Sequence, residues 1–143
     1  MTVRVKRVYE AARRSDGMRV LVDRLWPRGL TKQDAALDAW LADLAPSNEL
    51  RKWFHAHPEH WAEFRKRYLQ ELSSGRAHAA LDELYDLGRR DNLTLLFASK
   101  NVERNNAVIL RELLEGARKP PTGTGPTSAR AMGARRAASL PRR

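Results

Sequence analysis

Apolar residues in this chain recur in two rhythms. "VRVKRVY" (Val3–Tyr9) alternates apolar and basic positions, the period of a half-exposed strand. "MRVLVDRL" holds an unbroken Val20-Leu21-Val22 run, as strands buried on both faces do. "LTLLFAS" (Leu93–Ser99) is a second continuous run and predicts another buried strand. Between the first two strands, "EAARRSDG" has room for a hairpin or a very short helix and carries a turn signal at Asp16-Gly17.

The middle of the chain has helical spacing. "TKQDAALDAWLADL" opens with Thr31 and Asp34 at capping-box separation. Pro46-Ser47 reads as an N-cap for "NELRKWFHA", and His57-Pro58 as the start of a helix with Pro in its first turn. In that helix Trp61, Phe64, Tyr68, Leu69 and Leu72 share one face. "AHAALDELYDLG" puts Ala77, Ala80, Leu81 and Leu84 on one stripe and predicts a stop at Gly88. "NVERNNAVILRELLEG" predicts a last helix from Asn101 to Gly116, burying Ala107, Leu110, Leu113 and Leu114. A long helical excursion between two buried strands is what a parallel crossover requires. The expected fold is α/β: a small, mostly parallel sheet flanked by helices, in a single compact domain over residues 1–115.

Composition changes this picture mainly at the C-terminus. The chain has 143 residues, enough for one domain with one core, and 42% of them are hydrophobic. The net charge is +10, which invites a nucleic-acid reading. Seven basic residues lie from Gly116 onward, where there is no Asp or Glu, so residues 1–115 carry only about +3. Residues 116–143 are rich in Pro, Gly, Ser, Thr, Ala and Arg without apolar periodicity, and are expected to be a disordered basic tail. No apolar stretch approaches membrane-spanning length, and the start "MTVRVKRVYE" has no secretory pattern. The expected compartment is the cytoplasm, with no membrane partner. With no cysteine, disulfides, thiolate metal sites and a cysteine nucleophile are excluded.

If the two buried strands are parallel, their C-terminal ends share the edge where open α/β sheets take ligands. One strand brings Asp23, Arg24 and Arg28 there; the other brings Ser99, Lys100, Asn101 and Asn105, ahead of a helix N-terminus. Arg24, Arg28 and Lys100 would hold a phosphate or carboxylate. The asparagines would donate hydrogen bonds, and Asp23 would orient the cations or accept a proton as a general base. Against this stands a purely structural reading, in which Asp23 pairs with neighbouring cations and Asn101 caps a helix. Ser99 follows a buried strand but has no evident base beside it.

"RVLVDRLWPRGL", "APSNELRKWFHAHPEHWAEFRKRY" and "TLLFASKNVERNNAVIL" resemble the YeaO-like branch of the domain-of-unknown-function 488 family. The resemblance covers roughly residues 3–115 and implies a compact α/β domain with no assigned biochemical role. Some members carry a MarR-type transcription-regulator label, but no winged-helix pattern supports it here. Other branches of the wider family carry cysteines near the end of the last strand, and this chain has none. The YeaO-like pattern usually has Asp where this chain has Asn101, and often His where it has Arg104. Both departures make the edge more positive, which favours anion binding over acid–base chemistry.

His55, His57 and His60 spell a weak metal pattern, and the simpler reading is that His57 caps a helix while the others are solvated. Trp53, Phe54 and Trp61 alternate with Arg51, Lys52, Arg65 and Lys66, which would suit single-stranded nucleic acid. Helical spacing favours a core role for these aromatics. No dinucleotide or phosphate-loop motif is present, and no cofactor or metal is expected. Two functions follow: an anion-binding α/β protein, with or without enzymatic activity, or a nucleic-acid-binding accessory or regulatory protein using its tail and aromatic–basic helices.

Overall fold

The structure, a computed structural model, describes residues 2–118. Its strands are β1 (Val3–Arg7), β2 (Met18–Leu21), β3 (Ala39–Trp40) and β4 (Leu93–Phe97). They form one sheet in the order β1-β4-β2-β3, and every pairing is parallel. The helices are α1 (Lys32–Ala35), α2 (Asn48–Ala56), α3 (Trp61–Glu71), α4 (Gly75–Arg90) and α5 (Asn106–Arg118).

β4 lies between β1 and β2, with Leu93 opposite both Val3 and Met18. All five of its residues are buried, as a strand paired on both sides and covered on both faces must be. Its side chains alternate between two apolar clusters. Leu95 and Phe97 join Val20 and Val22 under α2 to α5, with Leu50, Phe64, Tyr68, Leu84 and Leu110. Leu96 faces the other way, into a smaller cluster with Val8, Leu21 and Ala35. Trp26, Leu30 and Leu37 cover that cluster in place of a long helix.

The expected α/β fold and parallel β2–β4 pair are present. Several local expectations are corrected. Residues 31–44 are not one helix. Thr31 caps the single turn of α1 through Asp34 N–H at 3.0 Å, Ala36 then turns left-handed, and the chain continues as β3 and a 3-10 turn at Ala42–Leu44. The hydrogen bonds available beside β2 override helical spacing there. α3 begins at Trp61 with His60 at its cap, not at His57-Pro58; His57 instead ends α2. Gly88 lies inside α4, against Leu93 and Leu114, and the helix runs on to Arg90. α5 starts at Asn106 rather than Asn101 and passes Gly116 to reach Arg118. The remainder of the expected disordered tail lies outside the described residues.

The β1–β2 connection forms a 3-10 turn at Arg14–Asp16. Gly17 follows at φ 66°, and a Cβ there would sit 2.5 Å from Asn92 O, so both conformation and space demand glycine. Asp16 is buried and joins Arg19 Nη1 at 2.6 Å and Lys6 Nζ at 3.1 Å. Arg19, also buried, donates its other N–H groups to the α1 carbonyls Ala35 O (2.8 Å from Nη2) and Ala36 O (3.1 Å from Nε). Burial pulls the Asp16 carboxyl upward, but hydrogen bonds from Arg13 N–H, Lys6 and Arg19 outweigh it and hold it below its usual 3.8.

Asp16→Ala would strand Arg19 as a buried, half-paired charge, and is expected to cost about 3–5 kcal/mol in chemical denaturation. A depressed folded pKa means the Asp16 contribution is fully present above the unfolded value of 3.8 and is lost as pH falls through the folded one. The stability gap between wild type and Asp16→Ala should therefore close only at acid pH.

Candidate functional site

The C-terminal ends of the four strands form one edge, and Asp23 sits at its centre. The ladder ends with Val22 N–H donating to Leu96 O at 3.1 Å. One residue later, Asp23 Oδ2 accepts Ala98 N–H at 2.8 Å and so carries the β2–β4 connection past the strands. Its Oδ1 faces Asn106 Nδ2 at 3.4 Å, while the same Nδ2 donates to Val22 O at 2.9 Å. Its carbonyl accepts Trp40 Nε1–H from β3 at 2.7 Å. A single residue thus joins β2, β3, the segment after β4 and the start of α5.

This node is mostly dry. Burial raises the Asp23 carboxyl above 3.8, opposed by Ala98 N–H, by Asn106 and by the charge of Arg51. Tyr68 is fully buried nearby and donates to Leu44 O at 2.5 Å. Burial pushes its hydroxyl well above 10.0, and the charges of Asp23 and Glu71 push it further. Both groups are engaged with backbone atoms. Arg24 turns the same way: its Nη2 donates to Ala45 O at 3.1 Å, and its buried Nε has no partner among the described residues.

The other expected residues face outward. Arg28 is exposed, and among the described residues only its carbonyl is engaged, by Tyr9 Oη–H at 2.9 Å. Lys100 is exposed on the loop after β4. Ser99 Oγ accepts Asn101 N–H at 3.1 Å, which makes it a loop residue with no base against it. Asn101 Oδ1 accepts the N–H groups of Glu103 (3.1 Å) and Arg104 (3.0 Å), fixing the loop ahead of α5. Asn105, which is buried, caps α5: its Oδ1 accepts Val108 N–H at 3.1 Å and its Nδ2 donates to Asn101 O at 2.8 Å. The seven residues share the edge but divide into an inner group (Asp23, Arg24, Asn105) and an outer one (Arg28, Ser99, Lys100, Asn101).

Sequence reasoning missed Arg7. It reaches from the end of β1 to donate to Ser99 O (3.0 Å, from Nε) and Ala98 O (2.9 Å, from Nη2), and its guanidinium lies 5.0 Å over the Tyr9 ring. The signal was present: a basic residue ends the first strand, but the chain alone does not say that β1 lies beside β4. Asn106 was missed because the helix start was placed five residues early.

The aromatic–basic segment is a packed column. Phe54 and Phe64 stack at 4.2 Å, Phe64 and Tyr68 are buried, and Trp53, Phe54 and Trp61 pack against the same cluster. Arg67 covers Trp53 at 4.4 Å, and His57 stacks on it at 5.4 Å with Nδ1 3.0 Å from Trp53 O. Among the described residues no group of three or more His, Asp or Glu is placed to hold a metal ion. None of their helices is long and apolar enough to cross a membrane.

A family model described as the inactive DUF488-N3 subclade matches residues 2–131. The chain belongs to this DUF488 family. It is 46% identical over 114 residues to the uncharacterised protein YeaO of Escherichia coli K12, covering 80% of this chain and 97% of that one. It is 47% identical over 114 residues to the uncharacterised protein Rv3073c of Mycobacterium tuberculosis H37Rv, covering 80% and 94%. No solved structure matches.

Asp23→Ala removes the acceptor of a half-buried N–H and is expected to cost about 1 kcal/mol. Asp23→Asn keeps an acceptor without a buried charge, and its effect at neutral pH should stay within about 1 kcal/mol of wild type. A raised folded pKa favours the folded state at acid pH, and that advantage is lost as pH rises from 3.8 through the folded value. Denaturation across this window should show wild type losing ground to Asp23→Asn as pH rises.

Proposed function

We propose that this DUF488 chain is a binding protein whose sheet edge takes a phosphate or carboxylate group without chemically transforming it. One observation carries the reading. Arg28 and Lys100 are exposed at the C-terminal edge of an all-parallel sheet, and neither side chain makes an ion pair or hydrogen bond with another described residue. Open α/β sheets take ligands at this edge. Guanidinium and ammonium groups without protein partners are the natural recipients of an anion there. Arg7 supports the reading by a different route: it fixes the backbone of Ala98 and Ser99, immediately before Lys100.

Several features speak against turnover. Asp23 is held by Ala98 N–H and Asn106. The Tyr68 hydroxyl is buried and bonded to a carbonyl. Ser99 has no base beside it, and the matching family model is described as inactive. In this reading Asp23 builds the edge, and the cations outside it do the binding.

Titration calorimetry with inorganic pyrophosphate tests the proposal. Arg28→Ala and Lys100→Ala should each weaken binding by about tenfold or more, the size of one lost charge-assisted hydrogen bond. Their thermal stability without ligand should match that of the parent, because neither side chain holds the fold. Unchanged pyrophosphate affinity in both variants would refute the anion site.

A further inference from the structure

Four large hydrophobic side chains stand out as exposed among the described residues: Tyr9 (42%), Leu25 (67%), Trp40 (42%) and Val102 (54%). Scattered apolar residues on a surface need no explanation. These four are not scattered. Each belongs to the C-terminal end of a different strand: Tyr9 follows β1, Leu25 follows β2, Trp40 ends β3 and Val102 follows β4. The edge that gathers the cations has also gathered the exposed apolar surface.

The contacts show how these groups are joined. The 26–30 elbow touches two aromatic rings. Tyr9 Oη–H donates to Arg28 O at 2.9 Å, and Trp26 meets Trp40 edge-on at 5.6 Å. The elbow is rigid, because Trp26 Nε1–H closes onto Leu30 O at 2.7 Å and Pro27 is buried. Trp40 is fixed by its bond to Asp23 O. Tyr9 is fixed by that same bond to Arg28 O and has the Arg7 guanidinium over its ring. Two half-exposed aromatic rings are thus held against the segment that carries Arg28, with Lys100 and Arg104 on the loop after the neighbouring β4. Exposed carboxylates stand near these groups as well: Glu10 beside Tyr9, Asp43 three residues after Trp40, and Glu103 on the loop after β4.

We infer that the ligand of this edge is single-stranded nucleic acid, with bases stacking on Tyr9 and Trp40 and phosphates on Arg28 and Lys100. The inference rests on the anion site proposed above and narrows its ligand. Fixed aromatic rings interleaved with free cations are the elements that bind unpaired bases and their backbone. Phosphate alone would leave the aromatic rings unexplained. An apolar protein surface would leave the cations unexplained. The aromatic column of α2 and α3 is packed into the core, so the stacking platforms are at the sheet edge rather than on those helices.

The test uses the full chain and compares an oligothymidylate with an abasic oligomer of equal length, following Trp fluorescence and anisotropy at one fixed salt concentration. Both oligomers carry the same phosphates, so general attraction to basic residues cancels. The oligothymidylate should bind about tenfold tighter or more, the range expected for one or two stacked bases. Tyr9→Phe, which keeps the ring, should retain that preference while Tyr9→Ala removes most of it, and Trp40→Ala should also remove it if its melting curve shows that it folds. Equal affinity for the two oligomers in the unmodified chain would overturn the inference and would need no variant to interpret. If Arg28→Ala and Lys100→Ala still weaken pyrophosphate in that case, the anion site stands and only its nucleic-acid assignment falls. If pyrophosphate binding ignores both substitutions, the anion site fails as well.

Discussion

The bond from Ala98 N–H to the Asp23 carboxylate closes the sheet where its strands end. A parallel sheet leaves backbone groups unpaired at each strand terminus, and buried ones must find partners. β4 is buried along its whole length, so the N–H just beyond it needs an acceptor that β2 no longer supplies. Asp23 supplies it at 2.8 Å, and its own carbonyl takes the Trp40 indole N–H at 2.7 Å. Asn106 bridges Val22 O and the carboxylate, which sets the start of α5 against the sheet. A charge kept in so dry a place needs compensation; Arg51 and two hydrogen bonds provide it, yet the carboxyl remains above its usual range.

The far end of β2 is tied by the same chemistry with the opposite electrostatic outcome. Asp16 has two cations and a backbone N–H, and these hold it below its usual range despite its burial. One carboxylate at each end of β2, with the apolar run Val20–Val22 between them, keeps that strand in register beside β4. The consequence for function lies outside the knot. Because Asp23 and Arg24 turn inward to serve the fold, the outward surface is left to Arg28, Lys100, Tyr9 and Trp40.

Much of this fold was legible in the sequence, for physical reasons that also mark where legibility ends. Continuous runs such as Val20–Val22 and Leu93–Phe97 announce strands covered on both faces. A helical excursion between them announces a parallel pair, and from that pair the shared edge follows. β3 was not legible, because two residues inside "DAALDAWLADL" fit helical spacing and become a strand only through partners on β2. The start of α5 was misplaced because Asn101 and Asn105 both have cap chemistry, and the one that caps is decided by loop geometry. The edge was legible as a place, but the direction of each side chain was not. Nothing in "VDRLWPRG" says that Asp23 and Arg24 face inward while Arg28 faces water.

The most direct test of the central claim is the hydrogen-exchange rate of the Ala98 amide, read by NMR in wild type and in Asp23→Ala. If Asp23 closes the sheet, that amide is as protected as those of β4 in wild type. It becomes exposed by local opening in the variant, while the β4 amides stay slow. An Ala98 amide that exchanges as fast as an open loop in wild type, or is equally protected in both proteins, would contradict the account.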